Sequence, residues 1–413
     1  MKKINLVYAM ANILLLFVFA CKDDNENGGT QASLEGKWSI TMQSSVIKDA
    51  SGNIISEEDA SFAVNFYTIE FKNNGTFVFV DVEDGFWFEG NYTFDDATKA
   101  ISLALGTEVL DGEVTELTST SLKFTLIEED ANGSEEESFT ASKNDGSEPT
   151  FDLSDVYGKW SILDLDIKIF VDINDDGEFD DPNELLQTIS LTNIPHNRNT
   201  LEFKETLKAL FIDSFLRDDY SEDDWDNIDF SNIALWDNEG FTTLLHLTGT
   251  DNDTWTFTIV SYGEEEVEEN DYYDSKVTGT VRVNKNDGSE PSISESTFLG
   301  TWKITSFAEF ENGTDVTEPD QNIVDAELTF NDNGTGTLGF PGEDPLPLTN
   351  VMMLDASNFR FTLEEEPGDF QDILLNITGF DEMSGTLQVV QGDIRNEDSQ
   401  TIQRETRITL VKQ

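Results

Sequence analysis

The sequence predicts an all-β fold of antiparallel strands, a sandwich or closed barrel, used three times in series. Three observations carry this reading. First, Lys143-Asn144-Asp145-Gly146-Ser147-Glu148-Pro149 returns unchanged as Lys285-Asn286-Asp287-Gly288-Ser289-Glu290-Pro291. Second, nine residues after each proline comes a Gly-x-Trp, Gly158-Lys159-Trp160 and then Gly300-Thr301-Trp302, and an earlier copy stands at Gly36-Lys37-Trp38. A polar seam closes one module and a Gly-x-Trp strand opens the next. Third, apolar residues alternate with polar ones at period two between turn dipeptides, the signature of half-buried strands. The modules fall at 33–143, 150–285 and 295–413, behind a leader at 1–20 and a tether at 21–32.

At 413 residues the chain has room for modules of domain size, each able to bury a core. Aromatics are 11% of the chain, with 30 Phe, which is too aromatic for a disordered polymer. The net charge is −60, from 84 acidic and 24 basic residues. Phosphate binding needs Lys and Arg to displace counterions, so nucleic acid is excluded as a partner. Anionic lipid surfaces are disfavoured for the same reason. Such a field attracts cations, and acidic residues on solvated strand faces also keep an exported protein soluble.

The leader has a basic start at Lys2 and Lys3, then an apolar run from Leu6 to Phe19 broken only by Asn12. That run is short for a membrane span. Val18-Phe19-Ala20-Cys21 follows, and it resembles the lipobox of bacterial lipoproteins. The resemblance implies lipidation at Cys21 and loss of residues 1–20; an ordinary secretory signal or an anchor helix is the competing reading. Cys21 is the one cysteine, so no intrachain disulfide is expected. Attached acyl chains would form the membrane anchor. Lys22-Asp23-Asp24 resembles the surface-export signal of Bacteroidetes lipoproteins, which implies an outer-membrane protein at the cell surface. A plain flexible tether on the periplasmic face is the alternative.

The first module shows its strands most clearly. Tyr67, Ile69 and Phe71 alternate with Thr68, Glu70 and Lys72. Asn74-Gly75 marks a hairpin turn, and Phe77 to Val82 returns. Gly90 to Phe94, Ala100 to Leu105, Val114 to Leu117, Leu122 to Leu126 and Ser138 to Lys143 follow, which makes eight strands with the Gly-x-Trp strand. Leu122 to Leu126 has counterparts at Trp255 to Ile259 and Phe359 to Leu363, preceded by Leu117, Leu247 and Leu354.

Gly-x-Trp on the first strand, Phe71-x-x-x-Gly75-Thr76 at the first hairpin, Gly90-x-Tyr92 and the Phe-Thr-Leu strand resemble the lipocalin-like domains of exported Bacteroidetes lipoproteins. The resemblance implies up-and-down β-barrels and covers most of residues 33–413. It also implies a basic residue from the last strand lying over the Trp, for which Arg282 and Arg407 are the candidates in modules two and three and Lys143 in module one. Trp38, Trp160 and Trp302 are expected as barrel-end core. Module two carries two apparent insertions, 172–198 and 212–239, the second with a possible helix cap at Ser221-Glu222-Asp223-Asp224. In module three the Phe361 strand comes early, which leaves its strand order open to differ.

The sharpest local motif is Asp172-Ile173-Asn174-Asp175-Asp176-Gly177-Glu178-Phe179-Asp180-Asp181. Oxygen ligands at alternate positions with a glycine at the turn suit calcium. Asp172, Asn174 and Asp176 offer side-chain oxygens and Glu178 a backbone carbonyl. Asn183 stands where the last bidentate acid belongs, so Asp181 or Glu184 must substitute. A polar hairpin loop is the competing reading. Trp225 and Trp236 lie among acids and amides, an arrangement that suits sugar rings as well as core packing. Asn74, Asn312 and Asn333 each open an Asn-Gly-Thr turn.

Catalysis has little to work with. His196 and His246 are the only histidines and module one has none, so a Ser-His-Asp set in each module is impossible. No carboxylate pair stands out among 84 acids. The expectation is a non-catalytic binding or scaffold lipoprotein, its ligand a glycan, a peptide or a small apolar molecule. A cell-surface hydrolase using a carboxylate pair and a spacer without ligand are the alternatives.

Overall fold

The computed structural model describes residues 32–130, 133–173, 179, 184–195, 198–213, 219–236, 242–268, 271–317, 323–366, 369–397 and 400–413. Cys21 and the leader lie outside these residues, as do Asn174, Asp176, Glu178 and Asp181 of the calcium motif and His196.

The chain forms three closed antiparallel barrels in tandem. Barrel 1 comprises β1 (Gly36–Asp49), β2 (Ile54–Ser61), β3 (Tyr67–Phe71), β4 (Thr76–Asp81), β5 (Phe86–Phe94), β6 (Ala100–Leu105), β7 (Glu108–Leu117), β8 (Ser121–Asp130) and β9 (Gly133–Lys143). After the short helix α1 (Leu153–Val156), barrel 2 comprises β10 (Gly158–Val171), β11 (Leu185–Leu191), β12 (Asn199–Phe203), β13 (Lys208–Asp213), β14 (Asp219–Asn227), β15 (Asn232–Trp236), β16 (Thr242–Asp251), β17 (Thr254–Glu268) and β18 (Asp271–Lys285). After α2 (Glu295–Phe298), barrel 3 comprises β19 (Gly300–Glu311), β20 (Thr314–Asp315), β21 (Glu327–Phe330), β22 (Gly336–Gly339), β23 (Leu346–Asp355), β24 (Asn358–Glu366), β25 (Asp369–Asp381), β26 (Thr386–Glu397) and β27 (Gln400–Lys412).

The first strand of each barrel closes it. Trp38 pairs with Ile69 on one edge of β1 and with Lys143 on the other, and Trp160 and Trp302 repeat this with Leu201 and Lys285 and with Leu328 and Lys412. Further along, a bulge between Ile40 and Met42 shifts β1 against β9, and its free edge takes up β2. Such a bulge adds twist and re-aims a strand. Eight strands therefore close the ring, while β2, β11 or β20 leans on its outer rim. The three strand orders are the same, module three included. Asn74-Gly75 turns as expected: Gly75 adopts φ +84 and the Asn74 carboxamide accepts from both the N–H and the hydroxyl of Thr76.

All three tryptophans are buried at a barrel end, and each donates Nε1–H to a carbonyl four residues back: Leu34 at 2.8 Å, Val156 at 2.8 Å and Phe298 at 2.7 Å. A lysine lies over each ring: Lys143 at 4.3 Å, Lys285 at 5.3 Å and Lys412 at 5.4 Å. Arg282 and Arg407 do not take this role. They sit away from the Trp along the last strands, where Arg282 pairs with Asp164 and Arg407 lies 4.2 Å over Phe310. The residue directly paired with the Trp is the one that can reach its face, and in every barrel that residue is lysine.

Three further expectations change. Ser221 to Asp224 do not cap a helix; they lie within β14. The stretch 212–239 is no insertion either, since it supplies β14 and β15 of the wall. Phe359 to Leu363 belong to the sixth strand of their barrel, whereas Phe124 and Phe257 belong to the eighth of theirs. The true counterpart in barrel 3 is β26, with buried Leu387 and Val389.

The seams join barrels by a repeated contact. Lys37, in the first Gly-x-Trp, binds Glu148 of the seam at 2.8 Å and Asp229 of barrel 2 at 3.0 Å. Lys159 binds Asp355 of barrel 3 at 2.9 Å, with Glu290 at 3.9 Å. The receiving turns are alike: Asp229 accepts from the Ser231 N–H and Asn232, and Asp355 from the Ser357 N–H and Asn358. The Ser231 and Ser357 hydroxyls then donate to the carbonyls of Pro149 and Pro291, both at 2.9 Å. Apolar walls complete the contact, Val78, Val80 and Val82 against Ile228, Ala234 and Leu244, and Leu210 and Ile212 against Leu374. The ends break the pattern. Barrel 3 has Thr301 in place of the lysine, and barrel 1 has Asp95-Asp96-Ala97-Thr98 in place of the receiving turn. Terminal repeats with polar faces are what a finite array requires.

Candidate functional site

Barrel 2 encloses a cavity of about 530 Å³, within the ~300–1,000 Å³ usual for small-molecule sites. Trp160, Leu201, Phe203, Leu235, Trp255 and Phe257 form much of its apolar lining. Polar groups interrupt it at Asn199, Asp213, Ser221, Asp223, Thr243 and Ser261. Thr243 and Ser261 satisfy each other at 2.7 Å, and the Ser221 hydroxyl donates to Asp223 at 3.0 Å.

The reason this barrel is hollow lies in its register. Phe71, Phe203 and Phe330 pair with the Gly of each Gly-x-Trp and so are equivalent. Inward-facing positions along this strand and the next two can then be matched. Where barrel 2 has Asn199, Ala209, Ser221 and Asp223, barrel 1 has Tyr67, Phe77, Phe88 and Gly90, and barrel 3 has Ala326, Gly336, Leu346 and Leu348. In barrel 1 the rings meet. Phe79 stacks on Phe88 at 4.6 Å and abuts Tyr67 edge-on at 4.7 Å. Phe77 leans over Gly90, where a Cβ would come within 2.6 Å of its ring. Barrel 3 carries small or aliphatic side chains at these positions, and the middle barrel has polar ones at three of the four.

Asn199 is the unusual member. It is 1% exposed, and neither its Nδ2 nor its Oδ1 has a hydrogen-bond partner. A buried amide left unpaired costs ~1–3 kcal/mol, so its presence in an apolar wall calls for a ligand or a water. Its cross-strand neighbour is Asp213, also buried and facing the same space.

Of the sequence candidates, Asp172 and Glu184 lie at the neck of the hairpin joining β10 and β11. Both are buried, the Asp172 N–H donates to the Asp274 carbonyl, and the Glu184 carbonyl accepts from the Val171 N–H. The four other calcium candidates are outside the described residues, and among the described residues no group of three or more His, Cys, Asp or Glu could hold a metal. Trp225 is fully buried in the barrel 2 core, with Nε1–H donated to the Lys204 carbonyl at 3.2 Å, and Trp236 packs between barrels 1 and 2. Neither offers a sugar-stacking face in the way the sequence suggested. His246 is a packed position outside the cavity: Nδ1 meets Asn232 Oδ1 at 2.8 Å, Phe66 of barrel 1 approaches edge-on at 5.5 Å, and burial brings its pKa down to about 4.

Among solved structures, the chain is similar to a transferrin binding protein B double mutant from Haemophilus parasuis Hp5, at 10% identity over 91% of this chain and 75% of that one, with a TM-score of 0.19. It is similar also to isotype 1 transferrin binding protein B from serogroup B Neisseria meningitidis, at 11% identity over 92% and 77% with a TM-score of 0.18. A Nostoc punctiforme protein of unknown function is similar at 12% identity over 61% and 96%, with a TM-score of 0.17. Scores this low do not establish a shared arrangement. No family model matches the chain, and no curated protein matches it.

Proposed function

We propose that this chain is a non-catalytic binding protein of the lipocalin-like, Bacteroidetes lipoprotein kind, anchored through Cys21 at the outer membrane and exposed at the cell surface. Its middle barrel receives one small, largely apolar ligand, and the flanking barrels are its scaffold. The observation that supports this is the substitution of rings by Asn199, Ala209 and Ser221 at positions that barrel 1 fills with Tyr67, Phe77 and Phe88. An eight-stranded barrel has room for one such ligand when its own side chains do not fill it.

The hydrolase reading has one observation in its favour, since Asp213 and Asp223 share the cavity. Their spacing counts against it. Asp213 pairs with Asp219, four residues before Asp223 on the same strand, which separates the two by about 13 Å at ~3.3 Å per residue. Glycosidase pairs stand about 5–9.5 Å apart.

The test is titration of the full chain with an apolar fluorophore, read through Trp160 and Trp255. Saturable binding at one site per chain is expected, and Ala209→Phe with Ser221→Phe, which restore the rings of barrel 1, should abolish it with the fold intact. Binding that survives the double variant would place the site elsewhere and overturn the reading.

A further inference from the structure

We infer that β11 is a docking strand for an extended peptide segment of another protein, one with apolar residues at alternate positions and basic residues between them. This goes beyond the small-ligand reading, because it rests on the backbone edge of β11 and not on the ring substitutions inside the barrel.

The edge follows from the register. On one side of β10, residues 158–161 pair with β12 and residues 165–170 pair with β11. The strand order of the sheet ends at β11, so among the described residues the other edge of its backbone takes no strand. Such an edge presents a row of N–H and C=O groups with which another chain can pair, and proteins guard it with charge or with brevity. Barrel 1 guards β2 with Glu57, Glu58 and Asp59 in a row, and barrel 3 shortens β20 to two residues. β11 has seven residues, Leu-Leu-Gln-Thr-Ile-Ser-Leu, with no charge, glycine or proline. No Asp, Glu, Lys or Arg stands between Glu184 and Arg198, in a chain that is 26% charged. An uncharged segment of this length without glycine or proline is suited to pairing with a further strand. The guard that two barrels carry is missing from the third.

The kind of partner follows from the two faces of the strand. Ile189 and Leu191 pair with Ile167 and Leu165, and all four line the cavity. Thr188 and Ser190 pair with Lys168 and Asp166 on the opposite face, where all four are exposed. Yet residues 187–191 line the cavity without a break. Successive side chains of a strand point to opposite faces, so an unbroken run means that the open space meets β11 along its edge. A strand added there sets every second residue beside Ile189 on the apolar face and the others on the solvent face. Main-chain hydrogen bonds then supply affinity, and the alternate side chains supply specificity. The net charge of −60 narrows the partner further. It repels a second copy of this chain and draws in a segment with Lys or Arg on its outward side. Seven residues of β11 at ~3.3 Å each give such a segment a span of about 23 Å.

The experiment titrates the full chain with a fluorescein-labelled heptapeptide, Val-Lys-Val-Thr-Val-Lys-Val, read by anisotropy. Saturable binding at one site per chain is expected, with slowed amide hydrogen exchange confined to residues 185–191. Two forms of the peptide, N-methylated at alternate residues, lack the donors of one edge or of the other; the better should bind at least about tenfold more tightly than the worse. The same peptide with Glu in place of Lys should bind about tenfold more weakly at low salt. Ile189→Lys puts a charge on the inward face and should weaken binding at least about tenfold with the circular dichroism spectrum unchanged. Ile55→Lys, at a 66% exposed position of the guarded β2, should leave binding as it was. Ala209→Phe with Ser221→Phe should also leave it in place, so failure of the small-ligand reading and failure of this one are told apart. No saturable binding, protection away from residues 185–191, or equal binding by the two N-methylated forms would overturn the proposal. A dimer of the chain alone in light scattering, lost in Ile189→Lys, would give the edge to a second copy and overturn the assignment of the partner.

Discussion

Replacing Lys37 with Met tests how the barrels are joined. The Lys37 side chain is 14% exposed, and its partners Glu148 and Asp229 are 3% and 2% exposed. Burial alone would lower its pKa, but Asp229 and Glu148 outweigh burial and hold it above the ordinary lysine value. Removing the amine leaves two carboxylates close together in a dry junction. Breaking a buried pair from one side costs ~3–5 kcal/mol. Asp229 keeps its bonds to Ser231 and Asn232, and Glu148 keeps Asn144, so the lower end applies. At roughly 3 °C per kcal/mol for domains of this size, calorimetry of the full chain should show the first transition fall by about 10 °C. Lys48→Met is the control. Lys48 pairs with Glu136 at 2.9 Å with both side chains about a third exposed, and such pairs contribute ~0–1 kcal/mol. Lys37→Met combined with Glu148→Gln and Asp229→Asn should recover most of the loss, since no charge is left stranded. If Lys37→Met shifts the transition no more than Lys48→Met, or if the triple variant is no better than the single, the junction is not held by this cluster.

His246 is held neutral by burial, with its pKa brought down to about 4 from 6.5. The unfolded chain takes up that proton first, so stability should decline as pH falls from about 6.5 towards 4, by up to ~3 kcal/mol; His246→Gln, which keeps a donor for Asn232, should flatten that part of a urea-midpoint-versus-pH curve. Asp81 has the opposite sign: burial raises its pKa to about 6, so its charged form opposes folding and stability is lost as pH rises through 6. Asp81→Asn still accepts from the N–H groups of Glu83 and Asp84 and should raise the midpoint at pH 7 by ~1–3 kcal/mol, whereas a lower midpoint would contradict this. If the 172–184 loop holds calcium, as its spacing predicts, a chelator lowers the midpoint of barrel 2, and an unchanged midpoint removes the site.

The repeat and the barrels were legible because they are written in local signals. Asn74-Gly75, the alternation around Ile69 and the duplicated seam each declare themselves within a few residues. What was not legible depends on pairing over distance. β2 and β11 rest against the outer rim and are mostly exposed, so no apolar alternation marks them. β14 has acids on its outward face at Glu222 and Asp224 and polar groups inward at Ser221 and Asp223, so it reads as a loop. Phe359 to Leu363 imitate the eighth strand because any inward-facing strand can carry that pattern. Lys37 and Lys159 stand in plain sight beside each Trp, but Asp229 lies 192 residues beyond Lys37, and only the folded chain brings them together. Asn199 could have been found by aligning the modules on their Gly-x-Trp strands, since that places an amide opposite Tyr67 and Ala326. Reading 212–239 as an insertion hid the rest of the site.

Crystals of the full chain exposed to xenon would test most directly whether the middle barrel is hollow while barrel 1 is filled. Dry apolar cavities take up xenon, and filled interiors do not. Density is expected among Leu201, Phe211 and Phe257 of barrel 2 and none among the stacked rings of barrel 1. Xenon in barrel 1 as much as in barrel 2, or in neither, would contradict the account.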